Sequence, residues 1–188
     1  DIYLVDKFFT WTNELIPNKF KDLTNDHPRM VIPFRDADGK IFAYQGRAFG
    51  TEQPKYITIV LDKDEKKIFG LDRVDHSRSI LICEGPIDSF FLPNCIAVAQ
   101  GDLRLLEYKE KSTLVFDNEP RNREIIKNIE KAIEEGYSVV IWPQDIEEKD
   151  INDMIISGLT NVEISDIIHR NTFSGLQAKT QLSHWKKI

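Results

Sequence analysis

Residues 79–88 read Ser-Ile-Leu-Ile-Cys-Glu-Gly-Pro-Ile-Asp, and no other stretch restricts the possible folds as tightly. The short apolar run, with its β-branched isoleucines, predicts a buried strand. It stops on Glu84-Gly85, and Pro86 stands where a helix takes its first residue. The order is strand, carboxylate, glycine turn, helix. In open α/β sheets ligands collect outside the carboxyl ends of the strands, so Glu84 is expected to face a site rather than the core.

The pattern recurs twice downstream. Ser-Thr-Leu-Val-Phe (112–116) is a second strand-like run that ends on Asp117-Asn118-Glu119-Pro120. Ser-Val-Val-Ile-Trp (138–142) is a third, followed after a polar loop by Lys-Asp-Ile-Asn-Asp (149–153). Between them, residues 122–135 place Ile125, Ile126, Ile129, Ala132 and Ile133 on one face, with Gly136 as the stop, which predicts an amphipathic helix. Strands alternating with helices imply an α/β fold with a mainly parallel sheet flanked by helices. Carboxylates set beyond three buried strands are a donor set for Mg²⁺, which takes one or two carboxylates plus waters and substrate phosphates. Asp150 or Asn152 is also placed to cap the helix that follows, and the two roles are compatible.

The net charge of −6 is unevenly spread, and this bears on what the chain binds. Residues 1–75 hold 12 basic and 13 acidic groups, residues 76–165 hold 9 and 17, and residues 166–188 hold 4 and 1. The acid excess therefore sits where the strand-end carboxylates are, as a metal-binding centre requires. Two cysteines and four dispersed histidines form neither a disulfide framework nor a four-ligand zinc pattern, so a reduced, cytoplasmic protein is expected, with Cys83 buried in its strand. No apolar run reaches the length of a membrane span. A chain that opens on Asp1 is read as a fragment or processed product.

The segments on either side of this region are less informative. Phe8, Phe9 and Trp11 mark a short helix near the start. Met-Val-Ile-Pro-Phe (30–34) and Ile-Phe-Ala-Tyr (41–44), joined by a turn ending on Gly39, predict a β-hairpin, and residues 56–61 and 68–69 add strands. The tail from Asn161 reads as two helices broken near Gly175. In the second of them Leu182, Trp185 and Ile188 share a broad face, open to packing on the chain's own core or to docking on a partner. These shifts divide the chain into a strand-rich subdomain (1–76), an α/β domain carrying the strand-end acids (77–160) and a helical tail (161–188).

Glu-Gly-Pro-Ile-Asp (84–88) resembles the E-G-x-x-D opening of the Toprim domain found in bacterial-type primases, topoisomerases and some nucleases. Asp117-Asn118-Glu119 falls where that family has D-x-D, and residues 149–153 resemble the third acidic motif of its primases. The match is closer still to the Toprim-containing DNA primases of large tailed bacteriophages, through residues 84–89, 117–121 and 149–154. Arg-Met-Val-Ile-Pro-Phe (29–34), Gln-Gly-Arg (45–47), Pro-Lys-Tyr (54–56) and Lys-Ile-Phe-Gly-Leu (67–71) resemble the strand-rich subdomain that precedes Toprim in bacterial primases. One departure stands out: Glu119 replaces the second aspartate of D-x-D and reaches one methylene further.

The resemblance implies the RNA polymerase core of a DNA primase, which synthesises short RNA primers on single-stranded DNA by metal-dependent nucleotidyl transfer. It implies catalytic roles for Glu84, Asp88, Asp117, Glu119 and Asp150, with Glu84, Asp117, Glu119 and Asp150 as ligands of Mg²⁺, or of Mn²⁺ in its place. Template and nucleotide would meet Arg47, Lys55 and Lys67, joined by Arg29 and Tyr56. The implied partners are single-stranded DNA, ribonucleoside triphosphates, a hexameric replicative helicase and an upstream zinc-binding module; a phage-encoded chain would act in the host cytoplasm. No G-x-x-x-x-G-K-[ST] occurs, so the chain is not expected to be the helicase motor itself. A Toprim nuclease and a non-catalytic module for single-strand binding or helicase docking are the competing readings.

Overall fold

The structure, a computed structural model, describes residues 2–62, 65–99 and 101–188. Its residues form two units, the first ending at Asp72 and the second starting at Arg73.

The first unit is built on four antiparallel strands, β1 (Tyr3–Val5), β2 (Arg29–Arg35), β3 (Ile41–Ala48) and β4 (Tyr56–Val60), paired in that order. The expected hairpin is β2–β3, and its turn is closed by Gly39 in the left-handed region (φ 81°). Helix α1 (Phe8–Leu15) lays Phe8 on the sheet against Val31, Tyr44 and Ile59, with Phe9, Trp11 and Phe20 around them. That approach depends on Gly46, because a Cβ there would run into the Phe8 ring. The first turn of α1 lacks a local cap. Asp26 supplies one from outside, accepting from the amides of Phe9 (2.6 Å) and Thr10 (2.9 Å). A short strand, β5 (Ile68–Phe69), lies near the end of this unit, where Phe69 meets Phe34 edge-on at 5.4 Å.

In the second unit, β6 (Ile80–Cys83), β7 (Cys95–Val98), β8 (Ser112–Val115), β9 (Ser138–Val140) and β10 (Thr172–Phe173) run in the order β10-β9-β8-β6-β7. All the pairs are parallel except β10–β9, so the expected α/β architecture holds. Parallel strands buried on both faces favour apolar side chains throughout, which is why β6 (Ile-Leu-Ile-Cys) and β7 (Cys-Ile-Ala-Val) read as unbroken apolar runs. Helix α2 (Pro86–Ser89) begins on its proline, as expected. A 3₁₀ turn (Leu106–Lys111) leads into β8. Helix α3 (Arg123–Glu134) buries the five apolar residues named from the sequence, is capped by the Asn122 side chain, and is followed by Gly136 at φ 84°.

After β9 come α4 (Ile151–Ile156), α5 (Asn161–Arg170) and α6 (Gly175–Trp185). Asp150 does cap α4, accepting from the amide of Asp153 at 2.8 Å. Helix α6 packs on α3 and β9, burying Ala178, Leu182 and Trp185, while Ile188 stays exposed. Of the two readings of that face, packing on the chain's own core is the one observed for Leu182 and Trp185. Cys83 and Cys95 are both buried and free.

Candidate active site

Each acid of the crevice comes from just beyond a strand or from the start of a helix. Glu84 follows β6 directly, and its Oε1 accepts from the amide of Asp117 at 3.2 Å. Asp117 lies just beyond β8, and Asp88 projects from α2, its Oδ1 accepting from the amide of Asn152 at 2.9 Å. With Asp150, these acids line one narrow crevice, walled by Cys83, Val115, Phe116, Trp142 and Ile151. Gly85 has an ordinary extended conformation (φ −104°); it is required for space, since a Cβ there would collide with the Asp88 carboxylate.

Glu119 stands outside this crevice. Its Oε2 accepts from Asn122 Nδ2 at 2.9 Å and its Oε1 lies 3.4 Å from Lys149 Nζ, which is also 3.8 Å from Asp117 Oδ2. Glu119 instead lines an open cavity of about 530 Å³, together with Asn118, Arg121, Gln144, Trp185 and Lys187 among others. Sequence grouped five acids as one set; four share the crevice and the fifth is bridged to them through Lys149.

Crowding the carboxylates in a half-buried place makes ionisation costly. Asp117 is pushed up to about 8, first by burial and then by the charges of Glu84 and Asp88. Asp88 is raised to about 6, mainly by burial, with Asp150 and Glu84 adding to the effect. Glu84 is also raised, by burial and by Glu119, against the amide of Asp117 that favours its charged form. Such a cluster is short of positive charge, and its hard oxygen donors match the preference of Mg²⁺ or Mn²⁺. The donor chemistry fits a divalent cation, although among the described residues no group of three or more His, Cys, Asp or Glu is drawn close enough to form a finished metal site.

Asn118, which sequence reasoning passed over as the variable middle residue of a motif, organises the loops. Its amide donates to Lys149 O (2.6 Å), its Nδ2 donates to Ile146 O (2.9 Å) and Glu148 O (3.0 Å), and its Oδ1 accepts from Trp185 Nε1 (3.0 Å). It is 8% exposed, so these bonds satisfy a polar group that would otherwise be costly to bury. A polar residue between two strand-end acids was the available signal. Trp142 adds a second tie, donating to Phe116 O at 2.8 Å.

The expected template and nucleotide residues lie in the first unit and divide into two kinds. Arg47 on β3 faces Tyr56 on β4 in register, with Nε 3.3 Å from the phenol oxygen, and Lys55 Nζ stands 5.6 Å from the Tyr56 ring centroid. They form a cation-aromatic-cation group, with Tyr56 exposed. Lys67 is half-buried just before β5 and is not part of that group. Arg29 requires a correction. It is 1% exposed, its guanidinium donates to the carbonyls of Gly46 (3.2 Å), Pro54 (3.0 Å) and Lys55 (3.3 Å), and it stacks over Phe8. All three bonds leave from Nη1 and the side chain is sealed from solvent, so Arg29 ties β2 to Gly46, Pro54 and Lys55 of the first unit, a structural role in place of the expected ligand contact.

Taken together, a parallel sheet with acids beyond β6 and β8 and a clamped acidic loop before α4 make a Toprim-type α/β fold. The particular relatives are DNA primases. The chain is 39% identical over 181 residues to the DNA primase of Enterobacteria phage T4, an alignment covering 94% of this chain and 52% of the phage protein. It thus spans about half the length of that relative. Comparison with models of known protein families gave no match. Among solved structures, the Aquifex aeolicus primase (zinc-binding and RNA polymerase domains) superposes with a TM-score of 0.65 at 18% identity, over 98% of this chain and 55% of that one. A DnaG primase catalytic domain bound to single-stranded DNA gives a TM-score of 0.58 at 17% identity, over 79% of this chain and 55% of that one. At these identities it is the fold that is shared. Among the described residues, no helix is long and apolar enough to cross a membrane.

Proposed function

We propose that this chain is the RNA polymerase core of a DNA primase, joining ribonucleotides on a single-stranded DNA template by nucleotidyl transfer that depends on a divalent metal. The observation that carries the reading is the convergence of Glu84, Asp88, Asp117 and Asp150 beyond the ends of parallel strands, in a chain that follows a phage DNA primase over 94% of its length. In the reaction the 3′-hydroxyl of one nucleotide attacks the α-phosphate of an incoming triphosphate, and pyrophosphate leaves. Bound divalent cations would lower the pKa of the attacking hydroxyl and offset the charge gathering on the leaving group.

The chain's own residues supply charge and position. Glu84 is held by the amide of Asp117 just beyond β8 and Asp88 by the amide of Asn152 in the first turn of α4, so their oxygens are oriented before any ligand arrives. Glu84, Asp117, Glu119 and Asp150 would be the metal ligands, with Mg²⁺ or Mn²⁺ as the ion, and Asp88 would support them. Arg47, Lys55 and Tyr56 offer phosphate contacts and a stacking ring, a combination that binds single strands without reading sequence. Lys67 would add to that charge. A hexameric helicase and an upstream zinc-binding module complete the proposed working assembly.

The deciding experiment is templated incorporation of ribonucleotides with and without Mg²⁺, in the natural chain and in Glu84→Gln. The expected result is metal-dependent incorporation that is lost in a Glu84→Gln protein with an unchanged melting profile. Incorporation that survives the substitution removes Glu84 from the site, and strand cleavage in place of incorporation turns the reading to a nuclease.

A further inference from the structure

Among the described residues, Lys149 is the cation paired with Asp117 and Glu119. Its backbone is pinned, because Lys149 O accepts from the amide of Asn118 at 2.6 Å and the next residue, Asp150, is held as the cap of α4. Its side chain is not pinned in the same way. The ammonium lies 3.4 Å from Glu119 Oε1 and 3.8 Å from Asp117 Oδ2, and the side chain is 52% exposed. A pair this exposed and this loosely spaced contributes little to stability, so little is lost when the ammonium leaves it for another partner. Here a flexible four-carbon stem holds a point charge between two acids, one of which, Glu119, lines the open cavity together with Arg121 and Lys187.

We propose that Lys149 is a resident counter-ion that exchanges partners: while no divalent cation is present it balances Glu119, the nearer acid, and Asp117 wherever that acid is ionised, and it transfers its charge to nucleotide phosphate when the cation and nucleotide bind. The inference deepens the proposed function and rests on it. A divalent ion bound directly to either carboxylate sits about 2 Å from its oxygen, which leaves the ammonium facing a larger like charge at close range. Repulsion then favours rotation of the stem away from the acids, and the triphosphate, which brings several negative oxygens, is the available new partner. No bond forms or breaks; the lysine remains protonated throughout.

The substitution Lys149→Met separates this role from an ordinary salt bridge, because it predicts changes of opposite sign. Binding of Mn²⁺ alone, followed by the loss of the free-ion electron paramagnetic resonance signal, should tighten about threefold once the competing charge is gone, as expected for a half-exposed pair. Binding of ATP in the presence of saturating Mn²⁺ should weaken about tenfold, the loss expected for a charged hydrogen bond, and Lys149→Arg should restore it. Unchanged or weaker Mn²⁺ binding in Lys149→Met overturns the inference, as does unchanged ATP binding. If the natural chain polymerises and Lys149→Met fails to show these shifts, the inference alone falls. If the natural chain neither binds Mn²⁺ nor incorporates nucleotides, the proposed function falls with it.

Discussion

The indole Nε1 of Trp185 donates to Oδ1 of Asn118 at 3.0 Å, a buried contact between residues 67 positions apart. It joins the end of α6 to the residue between Asp117 and Glu119, and Lys187 N repeats the tie at Pro120 O (2.8 Å). The carboxyl-terminal helix is therefore a strut for the acidic loop.

The strut makes a graded prediction. Trp185→Phe keeps an aromatic ring in place but removes one buried hydrogen bond and part of the indole's packing, and is expected to cost about 2 kcal/mol. Asn118→Ala breaks the side-chain bonds to Ile146, Glu148 and Trp185 together, and is expected to cost about 3 kcal/mol or more. Urea unfolding of the two variants checks the order. If Asn118→Ala is as stable as the natural chain, the clamp does not support the loop.

Gly85 makes a second prediction, in which function and stability separate. Its φ of −104° is open to alanine, so Gly85→Ala adds no backbone strain, but the new methyl would displace the Asp88 carboxylate. Melting should change little, since Asp88 can rotate toward solvent. Nucleotide incorporation should fall at least tenfold as the Asp88–Asn152 contact is lost. Full activity in Gly85→Ala would show that the position of Asp88 is unimportant.

How far the sequence revealed these features depended on whether their cause was local. The β6–Gly85–α2 unit was legible because an apolar run, a turn and a proline lie within ten residues, and α3 because five apolar residues repeat at helical spacing. Strands β1 and β10 were not, since each is defined by an antiparallel pairing with a strand distant in sequence, β1 with β2 and β10 with β9, which only the fold supplies. Arg29 was misread for a different reason. Its burial is created by the carbonyls of Gly46, Pro54 and Lys55, which only the folded first unit brings together. The same holds for the separation of Glu119 from the other acids and for the Trp185–Asn118 bond.

The raised carboxylates predict how stability follows pH in metal-free protein. Asp117 at about 8 and Asp88 at about 6 retain protons in the folded state at pH values where the unfolded chain has lost them. Their contribution is complete below the ordinary aspartate range and is lost as pH rises through about 6 and then about 8. The melting temperature of metal-free protein should fall across that interval, and Asp117→Asn should flatten the fall. Mg²⁺ should stabilise most at the alkaline end, where the acids are charged. A melting temperature that is level between these values, measured by calorimetry without metal, would contradict the burial assigned to Asp117.

The two arginines of the first unit test the division between structure and ligand contact. Arg47 is partly exposed beside Tyr56 on neighbouring strands, whereas Arg29 is sealed and donates only inward to backbone carbonyls. Arg47→Ala should therefore leave unfolding almost unchanged and weaken single-stranded DNA binding. It should also reduce the dependence of log K on log salt by about 0.7, the value for one phosphate contact on a single strand. Arg29→Ala should do the reverse: the freed carbonyls of Gly46, Pro54 and Lys55 lose their donors, and unfolding becomes easier by about 2–4 kcal/mol. In the fraction of Arg29→Ala that remains folded, the salt slope should match that of the natural chain. Fluorescence anisotropy of a labelled oligonucleotide across a salt series gives both slopes. A reduced slope in Arg29→Ala, or an unchanged one in Arg47→Ala, would reverse the roles drawn from their burial.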